Sequence, residues 1–327
     1  MKTAQTAHAV KVAPAPGGFR DYIGIARVDH WVKNVFVLPG TAAALFVDPS
    51  TRASWSWTAF GIAMLAVCLV SSSNYVLNEI LDAPFDRMHP TKHTRPVAAG
   101  RVNLPLAYAE WLLLMAAGIF LGLLISKLFA GILLVLWIMG CLYNIPPIRT
   151  KDLPCIDVLS EAVNNPLRML AGWYLTHTAI LPPVTLLLSY WMAGCYFMAI
   201  KRFAEFRDIA DHGRSARYRK SFAWYNERRL LITIMFYASH AMLFFGAFIM
   251  RYRVELILSF PFVAVVMAIY LLLAFRPDSA VQRPEGLYRE PLLMTAVALC
   301  AAVMITLLFV DVPLLHAVFK SSLPGDL

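Results

Sequence analysis

Long apolar runs separated by short clusters of charge dominate the chain. Apolar segments long enough to cross a bilayer, which takes about 20 residues, recur at 32–47, 55–77, 104–126, 128–145, 154–176, 179–200, 229–250, 254–275 and 291–312. This pattern predicts an all-α fold, a polytopic membrane bundle of about nine transmembrane helices. Pro39, Pro182, Pro183 and Pro261 fall inside these segments and are expected to start or bend helices there. Before the first segment, Phe19 to Asn34 sets Tyr22, Ile23, Ile25 and Ala26 against Arg20, Asp21, Arg27 and Asp29, the pattern of a helix lying in the membrane interface. Residues 1–18 are rich in Ala and Pro and lack the apolar core of a cleaved signal peptide, so they read as a disordered cytoplasmic tail. Residues 19–316 then form one membrane domain, and 317–327 a short C-terminal tail.

Composition agrees with the pattern. Apolar residues make up 59% of the 327 positions and charged residues 15%, with a mean hydropathy of +0.62, against roughly 45–50% and 25% in soluble domains. The formal charge is +9, from 29 Lys and Arg against 20 Asp and Glu. Such an excess suits either nucleic acid or an anionic membrane surface, and its distribution decides. With the N-terminal tail placed inside, 23 basic residues fall on the inner side, while Arg52, Lys127, Arg251, Arg253 and Lys320 fall outside. That bias orients a membrane protein and removes any need for a nucleic-acid partner. The five cysteines are scattered without paired spacing, which argues against a disulfide framework or a zinc site.

Chemistry concentrates where the second segment gives way to charge, in the stretch from Asn74 to Arg101. Asn78, Asp82 and Asp86 recur every four residues there. On a helix each such step turns the side chain by about 40° and raises it about 6 Å, so the three line one face. An amide and two carboxylates so arranged suit a hard divalent cation that takes its remaining ligands from substrate phosphates. Arg87, Lys92, Arg95 and Arg101 follow and could hold those phosphates. The fifth segment repeats the device with Asp157, Glu161 and Asn165, and Arg168 lies three residues further on. Ionisable groups at membrane depth normally face a cavity or a partner. Plainer alternatives are a solvated helix end for the first strip and an internal Glu161–Arg168 ion pair for the second. Two opposed acidic strips suit two metal ions clamping a diphosphate as its bond to carbon breaks. In the basic stretch 201–230, Lys201, Arg202 and Glu205 are near enough to the membrane to reach such a cavity, whereas Arg214, Arg217 and Arg219 also suit lipid head groups. His177 and His240 read as packing residues.

These words resemble the UbiA superfamily of intramembrane prenyltransferases. Its NxxxDxxxD motif is matched by Asn78, Asp82 and Asp86, and its basic loop by Lys92, Arg95-Pro96 and Gly100. A second acidic motif is matched by Asp157 and Glu161, with Glu in place of the second Asp. HWVKN at His30 to Asn34, HPTKHTRPVAAGR after the first motif, the Lys151, Pro154, Asp157 spacing with Arg168 and Gly172, and IKRFAEFR at Ile200 to Arg207 are most similar to the decaprenyl-phosphate phosphoribosyltransferase branch. The segment SEAVNNPLR departs from that branch. The resemblance implies a Mg2+-dependent transferase with Asp82, Asp86, Asp157 and Glu161 as catalytic metal ligands, aided by Asn78. It implies substrate binding by Asn74, Asn78, Lys92, Arg95, Asn165, Arg168, Lys201 and Arg202. Its partners would be a diphosphate-bearing small molecule and a polyprenyl lipid, with the active site facing the cytoplasm. Phosphoribosyl transfer to a polyprenyl phosphate leads. Prenyl transfer to an aromatic or other polar acceptor, terpene cyclisation and, in a different class, secondary transport stay open, as does homo-oligomerisation.

Overall fold

A computed structural model describes residues 17–88, 92–208, 220–277, 279–282 and 284–319. The expected N-terminal tail up to residue 16, the middle of the first basic loop at 89–91, Arg214, Arg217 and Arg219, and the end of the C-terminal tail lie outside the described residues. Every regular element among the described residues is a helix. In chain order these are α1 (Phe19–Ala26), α2 (Leu38–Val47), α3 (Trp57–Asp86), α4 (Leu104–Ile125), α5 (Lys127–Asn144), α6 (Ile156–Ala162), α7 (Asn164–Tyr174), α8 (Val184–Asp208), α9 (Glu227–Tyr252), α10 (Phe260–Leu273), α11 (Pro291–Phe309) and α12 (Pro313–Val318), joined by short 3-10 turns.

Seven of the described helices are long and apolar enough to cross a membrane, where the hydrophobic pattern predicts nine. Both differences are interrupted segments. The segment at 32–47 is a 3-10 helix, Val28–Val37, followed by the ten-residue α2. The segment at 154–176 is split at Val163 into α6 and α7. These interrupted elements pack on each other. Gly40 of α2 sits against the Met169 carbonyl and Gly172 of α7 against that of Val37, so a side chain at either position would strike backbone. Thr41 Oγ1 donates to the Gly172 carbonyl at 3.1 Å across the same crossing. The prolines mark beginnings: Pro39, Pro261 and Pro291 occupy the first helical turns, where the missing N–H costs nothing.

At about 1.5 Å per residue α3 is roughly 45 Å long, enough to cross the bilayer and carry its last turns into the polar zone. Ser56 caps its start by accepting from the Ala59 N–H. Its small residues let α4 approach, with Gly118 lying against Val70 and Ala66. Of four apolar clusters among the described residues, two are large. One joins α3, α4, α5 and α7 around Phe129, Leu133 and Val67, and the other joins α8, α9 and α10 around Phe203, Ile200 and Tyr237. At the ends of α3, α6 and α8 a polar cavity opens.

Candidate active site

The cavity measures about 180 Å³ and takes its walls from α3, α5, α6, α8, the N-terminal segment and the turn between α5 and α6. Asn78, Asp82 and Asp86 all line it, as the four-residue spacing predicts. Asn74, one step earlier, is turned away. Its Nδ2 donates to the Leu136 carbonyl at 3.0 Å, and its amide fills the space left by Gly140, so it ties α3 to α5.

Each carboxylate of the first strip already carries cations. Lys151 Nζ and Arg149 Nη2 donate to Asp82 Oδ1 at 2.6 and 2.9 Å. Arg95 Nη1 donates to Asp86 Oδ2 at 2.6 Å. Arg149 is delivered by a short turn in which its own backbone is left-handed, with φ 31°, and its guanidinium lies 5.1 Å over the Phe85 ring. Of the basic loop, Lys92 and Arg95 reach the cavity. Arg87 and Arg101 do not, and instead hold the loop: Arg87 Nε donates to the Ala98 carbonyl, and Arg101 pairs with Asp21 of α1 at 2.9 Å.

The second strip divides. Glu161 lines the cavity and accepts from Tyr143 Oη at 2.8 Å and Arg202 Nη2 at 2.7 Å, so the Glu161–Arg168 pair does not form. Asp157 does not line the cavity. It is 0% exposed, its Oδ1 accepts from Tyr225 Oη at 2.7 Å, and its Oδ2 faces Arg202 Nε at 3.1 Å and Ser221 Oγ at 3.4 Å. Burial, and then the charge of Asp157, push the Tyr225 phenol well above its ordinary range, so Tyr225 stays a proton donor to that carboxylate. Arg202, 1% exposed, bridges Asp157, Glu161 and Glu205 with ion pairs of 3.1, 2.7 and 3.0 Å. Asn165 packs against Gly194 of α8. Arg168 lies beneath the cavity wall, bonded to Asn34. Lys201 is on the wall and makes no ion pair among the described residues.

Several wall residues received no role from the sequence: Arg27, Tyr75, Tyr143, Arg149, Asp152 and Lys220, and also His30, Lys33 and Lys151, which entered as words of the resemblance. Arg149 and Lys151 entered the charge count without a role, although two cations in so short a turn between two apolar segments were a signal. In all, nine Lys and Arg side chains surround the cavity against five carboxylates. Such a wall attracts a polyanion, and the two carboxylates of α3 that line it, the half-buried Asp82 and the buried Asp86, are the natural place for a cation that accompanies one.

Residues 36–285 match the UbiA prenyltransferase family. The chain is 31% identical over 209 residues to the decaprenyl-phosphate phosphoribosyltransferase of Corynebacterium glutamicum, covering 61% of this chain and 58% of that protein. It is 28% identical over 227 residues to that of Mycobacterium tuberculosis H37Rv, covering 67% and 70%. Of three curated relatives it matches, the chain spans 30%, 63% and 58% of the length. Among solved structures, a UbiA homolog from Archaeoglobus fulgidus bound to DMAPP and Mg2+ has the same fold, with a TM-score of 0.66 at 17% identity over 87% of this chain and 99% of that one.

Proposed function

The chain belongs to the UbiA prenyltransferase family, an integral-membrane family, and on that premise we propose that it transfers a phosphoribosyl group from phosphoribosyl diphosphate to a polyprenyl phosphate at a cavity open to the cytoplasm. The observation that carries this reading is the excess of cations on the cavity wall. A prenyl diphosphate presents one anionic end, for which Lys92, Arg95, Arg149 and Lys151 around the α3 carboxylates already suffice. Arg27, Lys33, Lys201 and Lys220 stand on other elements of the same wall, and they suit a donor with a further phosphate at some distance from its diphosphate. Relatives of this sequence named for the same reaction support the choice.

The residues present fit a magnesium ion. No group of three or more His, Cys, Asp or Glu able to hold a metal occurs among the described residues, so the protein offers no complete cage. Magnesium needs none: it is bound by one or two carboxylates, with substrate phosphates and water completing the shell. Asp82 and Asp86, with Asn78 beside them, supply that pair, and Glu161 is the second strip's group on the wall. When bound, the metal neutralises charge that develops on the departing diphosphate. Arg149, Lys151 and Arg95, relieved of the α3 carboxylates by the cation, are placed to donate charge-assisted hydrogen bonds to the diphosphate oxygens. The acceptor's phosphate oxygen forms the new bond to the ribosyl carbon, and the carbon–oxygen bond to the diphosphate breaks with its electron pair leaving on diphosphate.

Purified protein given phosphoribosyl diphosphate, polyprenyl phosphate and magnesium should release diphosphate, and omission of either the lipid or the metal should abolish release. Diphosphate release from a prenyl diphosphate in the absence of phosphoribosyl diphosphate would refute the phosphoribosyl reading in favour of prenyl chemistry.

A further inference from the structure

Below the cavity lies a cation that the reaction scheme leaves unassigned. Arg168, on α7, is 8% exposed and makes no ion pair among the described residues. Its Nε donates to Asn34 Oδ1 at 2.9 Å, and its Nη2 lies 3.5 Å from Ser71 Oγ. Ser71 in turn donates to Asn34 Oδ1 at 3.2 Å, and Asn34 Nδ2 points to Cys68 Sγ at 3.1 Å. Every member of this cluster is neutral except Arg168. Nη1 makes no hydrogen bond among the described residues, yet it is not among the buried polar atoms left without a partner, so it retains access to space.

Position connects the cluster to the cavity. Ser71 lies two helical turns, about 10 Å, below Asn78 on the same face of α3 and one turn below Tyr75, which also lines the cavity. Asn34 directly follows the wall residue Lys33. An arginine cannot shed its proton, and a buried charge without a counter-charge is destabilising enough that a neutral side chain of similar volume is usually as good or better for folding. At membrane depth such a group marks a site.

Resting on the phosphoribosyl reading above, we propose that Arg168, Asn34 and Ser71 form the binding site for the phosphate monoester of the lipid acceptor, with Arg168 its counter-ion. Depth selects the occupant. The donor, polar throughout, is met at the mouth by the cations around Asp82 and Asp86. An anion seated two turns lower, among the apolar faces of α2, α3 and α7, is one that carries a long apolar chain. Its phosphate would approach the free Nη1 while the rest of the fork stays fixed by Asn34 and Ser71, and it would then lie under the donor, where an acceptor oxygen is needed.

The test uses the full chain in nanodiscs, with a polyprenyl phosphate and the polyprenol of equal length as probes, and phosphoribosyl diphosphate with magnesium as the control. The wild type should bind the lipid phosphate about 10-fold or more tightly than the alcohol, as a charge-assisted contact of about 1.4 kcal/mol requires. Arg168→Met should bring that ratio to about one. Asn34→Asp replaces the acceptor of Arg168 by an isosteric carboxylate, supplies an internal counter-ion, and should do the same while leaving affinity for the alcohol and for the donor within about 2-fold. Because Asn34→Asp conserves volume and adds an ion pair, it decides the matter even where Arg168→Met does not fold. An undiminished preference in Asn34→Asp, or a donor affinity that falls in step with the lipid's, overturns the subsite alone, provided the wild type transfers the phosphoribosyl group. A wild type without any preference for the phosphate overturns both readings.

Discussion

Charge buried at membrane depth persists where a partner meets it, and Arg202 has three. It holds Asp157, Glu161 and Glu205 at 2.7 to 3.1 Å, and Asp157 is further fixed by Tyr225 and Ser221. Both oxygens of Asp157 are therefore committed to positioning Arg202 and the 220–226 turn. Asp82, by contrast, is held only by cations that a metal ion would replace. The two acids should then behave differently when made neutral. Asp82→Asn should lower turnover by about 100-fold or more, the scale of losing a principal electrostatic stabiliser, and should raise the magnesium concentration needed for half-maximal diphosphate release. Asp157→Asn should leave that magnesium dependence unchanged and instead lower the stability of the detergent-solubilised protein by roughly 1–3 kcal/mol, through hydrogen bonds lost to Arg202 and Tyr225. A magnesium titration of both variants, with thermal melts alongside, separates the roles; a shifted magnesium midpoint in Asp157→Asn would return that residue to the metal. This difference was not legible in the sequence. Asp157 and Glu161 share a helical face, so spacing alone gives them equal standing, and only the arrival of Tyr225 from 68 residues away removes one of them from the wall.

At the scale of elements, periodicity carried the long helices and failed where a helix is interrupted. Asn78, Asp82 and Asp86 stay in register because α3 is unbroken for 30 residues, and the register was readable from spacing. The segments at 32–47 and 154–176 are long enough to read as spans, but one begins as a 3-10 helix and the other, which carries the polar strip, breaks at Val163. The two interrupted elements pack on each other through the contact of Gly40 with Met169 and of Gly172 with Val37, which no local pattern encodes. That crossing fixes α7 against the N-terminal segment and so sets Arg168 beside Asn34. Gly172→Ala places a methyl group against the Val37 carbonyl and should destabilise the fold by about 1–3 kcal/mol, the range for overpacking a tight contact. Gly131→Ala meets nothing within 4 Å on α5 and should stay within about 0.5 kcal/mol of wild type. Equal melting temperatures for the two variants would show that the crossing is not tight.

At the scale of the whole molecule, charge places the chemistry on one side of the membrane. The cavity, the ends of α3 and α8, and the turns at 145–155 and 220–226 lie on the side to which the sequence count assigns 23 of the 29 Lys and Arg residues, and in the proposed orientation, which follows the positive-inside rule, that side is the cytoplasmic one. The donor reading needs this orientation, since a polyanionic sugar phosphate is supplied from the cytosol and enters at the basic mouth, while the acceptor lipid comes laterally from the bilayer. Lys127 and Arg276 are both exposed and sit at opposite ends of the bundle, Lys127 in the tight turn from α4 to α5 and Arg276 just past α10. With the five native cysteines replaced, Lys127→Cys should react with a membrane-impermeant maleimide on intact cells, whereas Arg276→Cys should react only after the membrane is opened. The reverse labelling would place the Asp82 cavity on the outer face, where the basic wall would no longer meet a cytosolic donor. The charge count and the proposed reaction therefore stand or fall on the same measurement.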